Sequence, residues 1–122
     1  MKQNLQTPAT PLEMLSLFLP AGLLDYFDLV NHVSQETCFI FFLEEKPSIP
    51  QEHSHLHLHS KGFFPEIEVQ DFPVRGKAVY LRIKRRRWED PETGQTYSRD
   101  WNLVASGTRI TAEFGAFFKS VT

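Results

Sequence analysis

The most constraining feature of this chain is residues 77–88, Lys-Ala-Val-Tyr-Leu-Arg-Ile-Lys-Arg-Arg-Arg-Trp, whose side chains sort at period two. Val79, Leu81 and Ile83 form one row; Tyr80, Arg82, Lys84 and Arg86 form the other. Successive strand residues face opposite ways, so the pattern predicts a strand with one face in a core and a basic face in water. Residues 89–95 hold the turn formers Asp90, Pro91 and Gly94, and residues 96–104 read as a second strand. The expectation is an antiparallel hairpin with a cationic, aromatic-bearing surface.

Upstream, Thr10, Pro11 and Glu13 match a helix start, with a Thr cap, Pro at the first helical position and Glu closing a capping box. Leu12, Leu15 and Leu19, with Met14, Leu17 and Phe18, would give that helix a buried side, and residues 21–27 a further turn or two. Residues 27–34 and 37–44 read as strands joined near Gln35 and Glu36. The second, apolar on both faces, belongs centrally in a sheet or beneath the first helix. Residues 44–51, with Pro47 and Pro50, form a loop dividing sub-parts 10–46 and 53–122 of one domain, with residues 1–9 a disordered tail. Residues 61–65 and 71–76 read as turns around a short strand at 66–70. Ile110, Phe114, Phe117 and Phe118 recur near helical spacing and predict a C-terminal helix whose Phe stripe meets the core or a partner. The fold expected is α+β, N-terminal helices packed on antiparallel strands with a basic hairpin and a final helix.

His53, His55, His57 and His59 alternate, and on a strand they would line one face, an arrangement that can bind zinc or nickel. The plainer reading is a polar face opposite Leu56 and Leu58, because a metal site needs ligands converging from separate elements. No metal and no cofactor are expected. The single cysteine, Cys38, excludes an internal disulfide and fits a reducing cytosol. No signal-peptide pattern and no membrane-spanning run is present, so a cytoplasmic protein is expected.

Formal net charge is −2, which alone would argue against a nucleic-acid partner. The charge is unevenly spread, however. Residues 1–60 carry two lysines against seven carboxylates, and residues 61–122 carry eleven Lys and Arg against eight. That asymmetry points to a polyanion for the second half.

Several stretches resemble the N-terminal region of bacterial insertion-sequence transposases of the split, ISAon type. They are Ser60-Lys-Gly, residues 70–77 (Gln-Asp-Phe-Pro-Val-Arg-Gly-Lys), residues 79–88, residues 98–104 (Ser-Arg-Asp-Trp-Asn-Leu-Val) and residues 107–111 (Gly-Thr-Arg-Ile-Thr). Residues 19–27 and 42–46 are similar too, so the likeness covers nearly the whole chain. A more distant resemblance is to the zinc-ribbon domain of the ISL-three family, which Asp71-Phe-Pro73, Gly76 and Arg85-Arg-Arg87 fit. Trp88 stands where that family has a Cys ligand, which implies a ribbon-like hairpin with an aromatic core in place of zinc.

The resemblance implies a DNA-recognition module that binds double-stranded DNA at the element's terminal inverted repeats and delivers a separate catalytic subunit, in a nucleoid-associated setting. The expected DNA contacts are Arg82, Lys84, Arg85, Arg86, Arg87 and Arg99, with Lys77 and Arg109. Such cations neutralise phosphates, and arginine also reads guanine edges. Tyr80, Tyr97, Trp88 and Trp101 are either core or stacking groups. The alternative for the arginines is a solvated face paired with Glu89, Asp90, Glu92 and Asp100. A second functional class is a protein-interaction or assembly module, with a homodimer as one form. Catalysis is not expected, since no nucleophile motif accompanies the histidines and Ser106-Gly107 lacks an elbow pattern.

Overall fold

The computed structural model describes residues 10–20 and 22–101. They form an α+β arrangement dominated by strands in two sheets. Residues 102–122 lie outside the described residues, and with them the expected C-terminal helix and the end of the second hairpin strand.

Helix α1 is Pro11–Ser16. Its first turn is closed by reciprocal bonds: the Glu13 amide donates to Thr10 Oγ1 at 3.1 Å, and the Thr10 amide donates to Glu13 Oε1 at 2.8 Å. These satisfy two amides that the helix itself leaves open. Leu15 packs against the core, but Leu12, Met14, Leu17 and Phe18 are exposed, so only the Leu15 and Leu19 side is buried. Helix α2 is the single turn Leu23–Tyr26, and it leads directly into β1, Phe27–Ser34.

Strand β2, Cys38–Glu45, returns antiparallel to β1, as the sequence predicts. The strands that follow are β3, His59–Phe63; β4, Ile67–Val74; β5, Lys77–Lys84; β6, Arg86–Glu89; and β7, Thr96–Tyr97. One sheet runs β1-β2-β5-β4 and the other β3-β6-β7.

Strand β5 is therefore an interior strand. It pairs in parallel with β2 (Phe41 opposite Leu81) and antiparallel with β4 (Val69 opposite Leu81), so the sheet is not purely antiparallel. Val79, Leu81 and Ile83 are buried, as their alternation requires. They cluster with Leu43, Val69 and Phe27 from the other strands of the sheet and with Leu19, Leu23 and Trp101. Trp101 stacks on Phe27 at 5.2 Å between ring centroids, and Trp88 is also buried; both indoles are core.

Four local expectations are corrected. The hairpin partner of β5 is β4, not the downstream segment: the run 77–88 is divided near Arg85 between the two sheets, and β6 meets β7 only at Trp88 with Tyr97 and Glu89 with Thr96. Residues 71–74 are strand rather than turn. Phe72 and Pro73 stand opposite Ala78 as a bulge, which is how an edge strand accommodates a proline without an amide. The turn is Arg75 and Gly76, with φ 52° and 76°, the two left-handed positions of a tight hairpin. Residues 61–63 likewise belong to β3. Finally, the histidines share no strand face, because His53 closes a 3₁₀ turn and only His59 enters a strand.

Candidate nucleic-acid interface

The expected cations separate into two environments. The outer face of the four-stranded sheet carries Tyr80, Arg82 and Lys84, half-buried and opposite in direction to the core row. The register brings Ile40 beside Tyr80, Phe42 beside Arg82 and Glu44 beside Lys84 on that same face, with Glu68 and Gln70 from β4 at its edge. Arg82 Nε donates to Glu68 Oε1 at 3.0 Å, with the two side chains 40% and 48% exposed. Its guanidinium also lies 5.7 Å from the centroid of the Phe42 ring. At the turn end of β5, Lys77 Nζ donates to the Gln35 carbonyl at 2.7 Å and sits 4.7 Å over Phe39. Arg75 is exposed.

The second environment is the passage from β5 to β6, where arginines are absorbed into the fold. Arg85 and Arg99 are buried, with 3% and 7% exposure. Their organiser is Glu45, the last residue of β2 and itself 1% exposed. Glu45 Oε1 accepts from the Arg86 amide at 2.9 Å, Oε2 accepts from Arg99 Nε at 3.1 Å, and the Glu45 carbonyl accepts from Arg86 Nε at 2.7 Å. Arg86 Nη1 donates to Ser60 Oγ at 2.7 Å, and Arg99 Nη2 to the Ser48 carbonyl at 2.6 Å. Burial pushes the Glu45 carboxyl above its ordinary value, opposed by the Arg86 amide and the Arg99 guanidinium. Burial also lowers Arg85, with Glu45 opposing.

Arg85 lies 5.6 Å from the Phe64 ring centroid, and among the described residues neither its Nε and Nη1 nor the buried Trp88 Nε1 finds an acceptor. Arg87, one residue beyond Arg86, is exposed, and its Nη2 donates to the Lys61 carbonyl at 3.2 Å. Lys61 Nζ is 3.9 Å from Glu89. Arg109 lies outside the described residues.

The outward stiff arm expected of residues 82–87 is thus not what forms. Arg86 ties β2 of one sheet to β3 of the other, and Arg85 and Arg99 are buried, while Arg82, Lys84 and Arg87 remain at the surface. Sequence reading missed Glu45 because it sits in an acidic, proline-bounded stretch that looks like loop, and its arginine partners are 41 and 54 residues away. It also missed the outer face of Phe42, hidden in an apolar run. His53 packs its ring against Tyr97 at 4.8 Å, and no group of three or more metal-ligating side chains occurs among the described residues. No helix among them is long and apolar enough to cross a membrane. Compared with known family models, curated proteins and solved structures, the chain matches none.

Proposed function

We propose that the chain is the non-catalytic DNA-recognition module of a split insertion-sequence transposase, binding duplex DNA at the element's ends and carrying a separately encoded catalytic subunit to them. The resemblance along residues 19–27, 42–46 and 61–118 motivates the reading. The observation that carries it is the set of cations the fold leaves at its surface: Arg75, Arg82 and Lys84 along β5 and its turn, and Lys61 and Arg87 on the second sheet. Helices packed as a layer over the sheet and a final helix near residues 110–118 are the finer architecture of the same proposal.

The test is an electrophoretic shift with inverted-repeat duplex against scrambled duplex, over a range of salt. Binding should weaken with added salt, and the combined change Arg82→Ala, Lys84→Ala, Arg87→Ala should lower the salt slope by about one for each phosphate that is no longer neutralised. Arg85, Arg86 and Arg99 are unsuitable probes, since replacing them perturbs the fold. No shift at low salt sinks the proposal.

A second reading is favoured by one observation: Leu12, Met14, Leu17 and Phe18 expose a large apolar side of α1 and the turn that follows it. Such a patch suits a protein contact, here the catalytic subunit. Co-purification with that subunit, abolished by Leu17→Glu, tests it.

A further inference from the structure

Independently of the DNA-binding reading and beyond it, we infer that the bare side of α1 is a docking face for the chain's own residues 110–118, which lie across it as a helix. Helix α1 is two-sided. Leu15 and Leu19 pack into the core, while Met14, Leu17 and Phe18 are 54%, 80% and 67% exposed. Those three stand at i, i+3 and i+4, the spacing that makes neighbours on one side of a helix. One apolar side chain in water is ordinary; three adjacent ones on so short an element mark a contact face.

The occupant follows from where the chain goes next. The described residues end at Trp101, which is buried, stacks on Phe27 and shares its core cluster with Leu15 and Leu19 from the inner side of α1. Residues 102–122 therefore set out from the cluster on which α1 is packed. The eight residues 102–109 span up to about 28 Å when extended, more than enough to bring Ile110 to either end of α1. From there Ile110, Phe114, Phe117 and Phe118 recur at i, i+4, i+7 and i+8, one apolar stripe in a helix. Nine helical residues measure about 13 Å, comparable to α1 with the turn that follows it. Charge agrees with this choice. Residues 10–26 carry Glu13 and Asp25 and no Lys or Arg, whereas residues 102–122 carry Arg109 and Lys119 against Glu113, so a net −2 meets a net +1. Residues 1–9, on the other side of α1 in sequence, offer only Met1 and Leu5 as large apolar groups, too few to cover the face. The catalytic subunit proposed for the same face binds by taking the segment's place.

The experiment uses the full chain with Cys38→Ala and one pair of introduced cysteines, treated with a short bismaleimide. Leu17→Cys with Phe117→Cys should give an internally linked monomer about fivefold faster than Phe72→Cys with Phe117→Cys, because docking raises the local concentration of one thiol at the other. Phe72 is the control because it is 85% exposed at the end of the sheet away from Phe27 and Trp101. Equal rates for the two pairs overturn the inference. So does a linked dimer in place of the linked monomer, since a second copy of the chain would then cover α1. Without introduced cysteines, Phe114→Glu should raise binding of an apolar fluorescent dye by about twofold, and adding Leu17→Glu should remove the increase. No rise, or a rise that Leu17→Glu leaves intact, also overturns it. Circular dichroism melts check that each variant folds, and the cysteine pairs decide the matter where Phe114→Glu does not. The electrophoretic shift tests the DNA reading separately, so the failure of one leaves the other standing.

Discussion

Arg82 and Arg86 stand four residues apart in the same basic run and behave as opposites. Arg82 lies on an open sheet face in a half-exposed pair with Glu68. Arg86 is clamped through its amide and its guanidinium to both the carboxylate and the carbonyl of Glu45, which also binds Arg99. The first arrangement is loosely held and open to exchange. The second takes a carboxylate and a guanidinium out of water, which is favourable only while every partner is present. A run of cations in a sequence is therefore not one surface, because a single remote carboxylate can draw part of it inside.

The contrast breaks most sharply at Glu45. Glu45→Ala leaves buried Arg99 without its carboxylate and should cost about 3–5 kcal/mol, read as a shift in urea midpoint. An effect below about 1 kcal/mol would place Arg86 and Arg99 among the surface cations after all. The next largest effect lies on the two faces of β5: Leu81→Ala should cost about 2–5 kcal/mol by chemical denaturation, whereas Lys84→Ala on the outer face should stay within about 0.5 kcal/mol. Removing the outer carboxylate, Glu68→Ala, should cost about 0–1 kcal/mol and strengthen binding of nucleic acid by releasing Arg82. Smaller again is the hairpin turn, where Arg75→Asn supplies the residue that best tolerates a left-handed first position and should stabilise by a few tenths of a kcal/mol in a thermal melt.

The pH dependence separates two glutamates in the same way. Glu45 is raised, so the folded chain keeps a proton that the unfolded chain has released. Stability should fall as pH rises from the ordinary glutamate range through the raised native value, and Glu45→Gln should flatten that slope. Glu13, lowered by its bonds to Thr10, acts on the other side: its contribution is present above the ordinary glutamate range and disappears as pH falls through its native value. Urea midpoints measured across the acid range read both.

Local chemistry was legible in the sequence. The alternation of Val79, Leu81 and Ile83, the bounds of β1 and β2, and the Thr10 and Glu13 box all rest on spacings of a few residues. Pairings across long separations were not. Nothing near Phe39 or Phe41 signals a parallel neighbour in Val79 and Leu81, and Pro73 reads as a breaker until the bulge opposite Ala78 shows where its missing amide goes. The candidate site was half legible for the same reason. Tyr80, Arg82 and Lys84 follow from period two, but Phe42 joins them only through the register, and the withdrawal of Arg85, Arg86 and Arg99 to the interior depends on Glu45.

The side-by-side, same-direction pairing of β2 and β5 also carries a kinetic cost. The two local ribbons, β1 with β2 and β4 with β5, can each zip up over a short span, but joining them requires the whole intervening stretch to be reeled in first. Ribbon docking is thus expected to be slow, and until it happens the edge of β2 that pairs with β5 lacks its neighbour and is open to association with another chain.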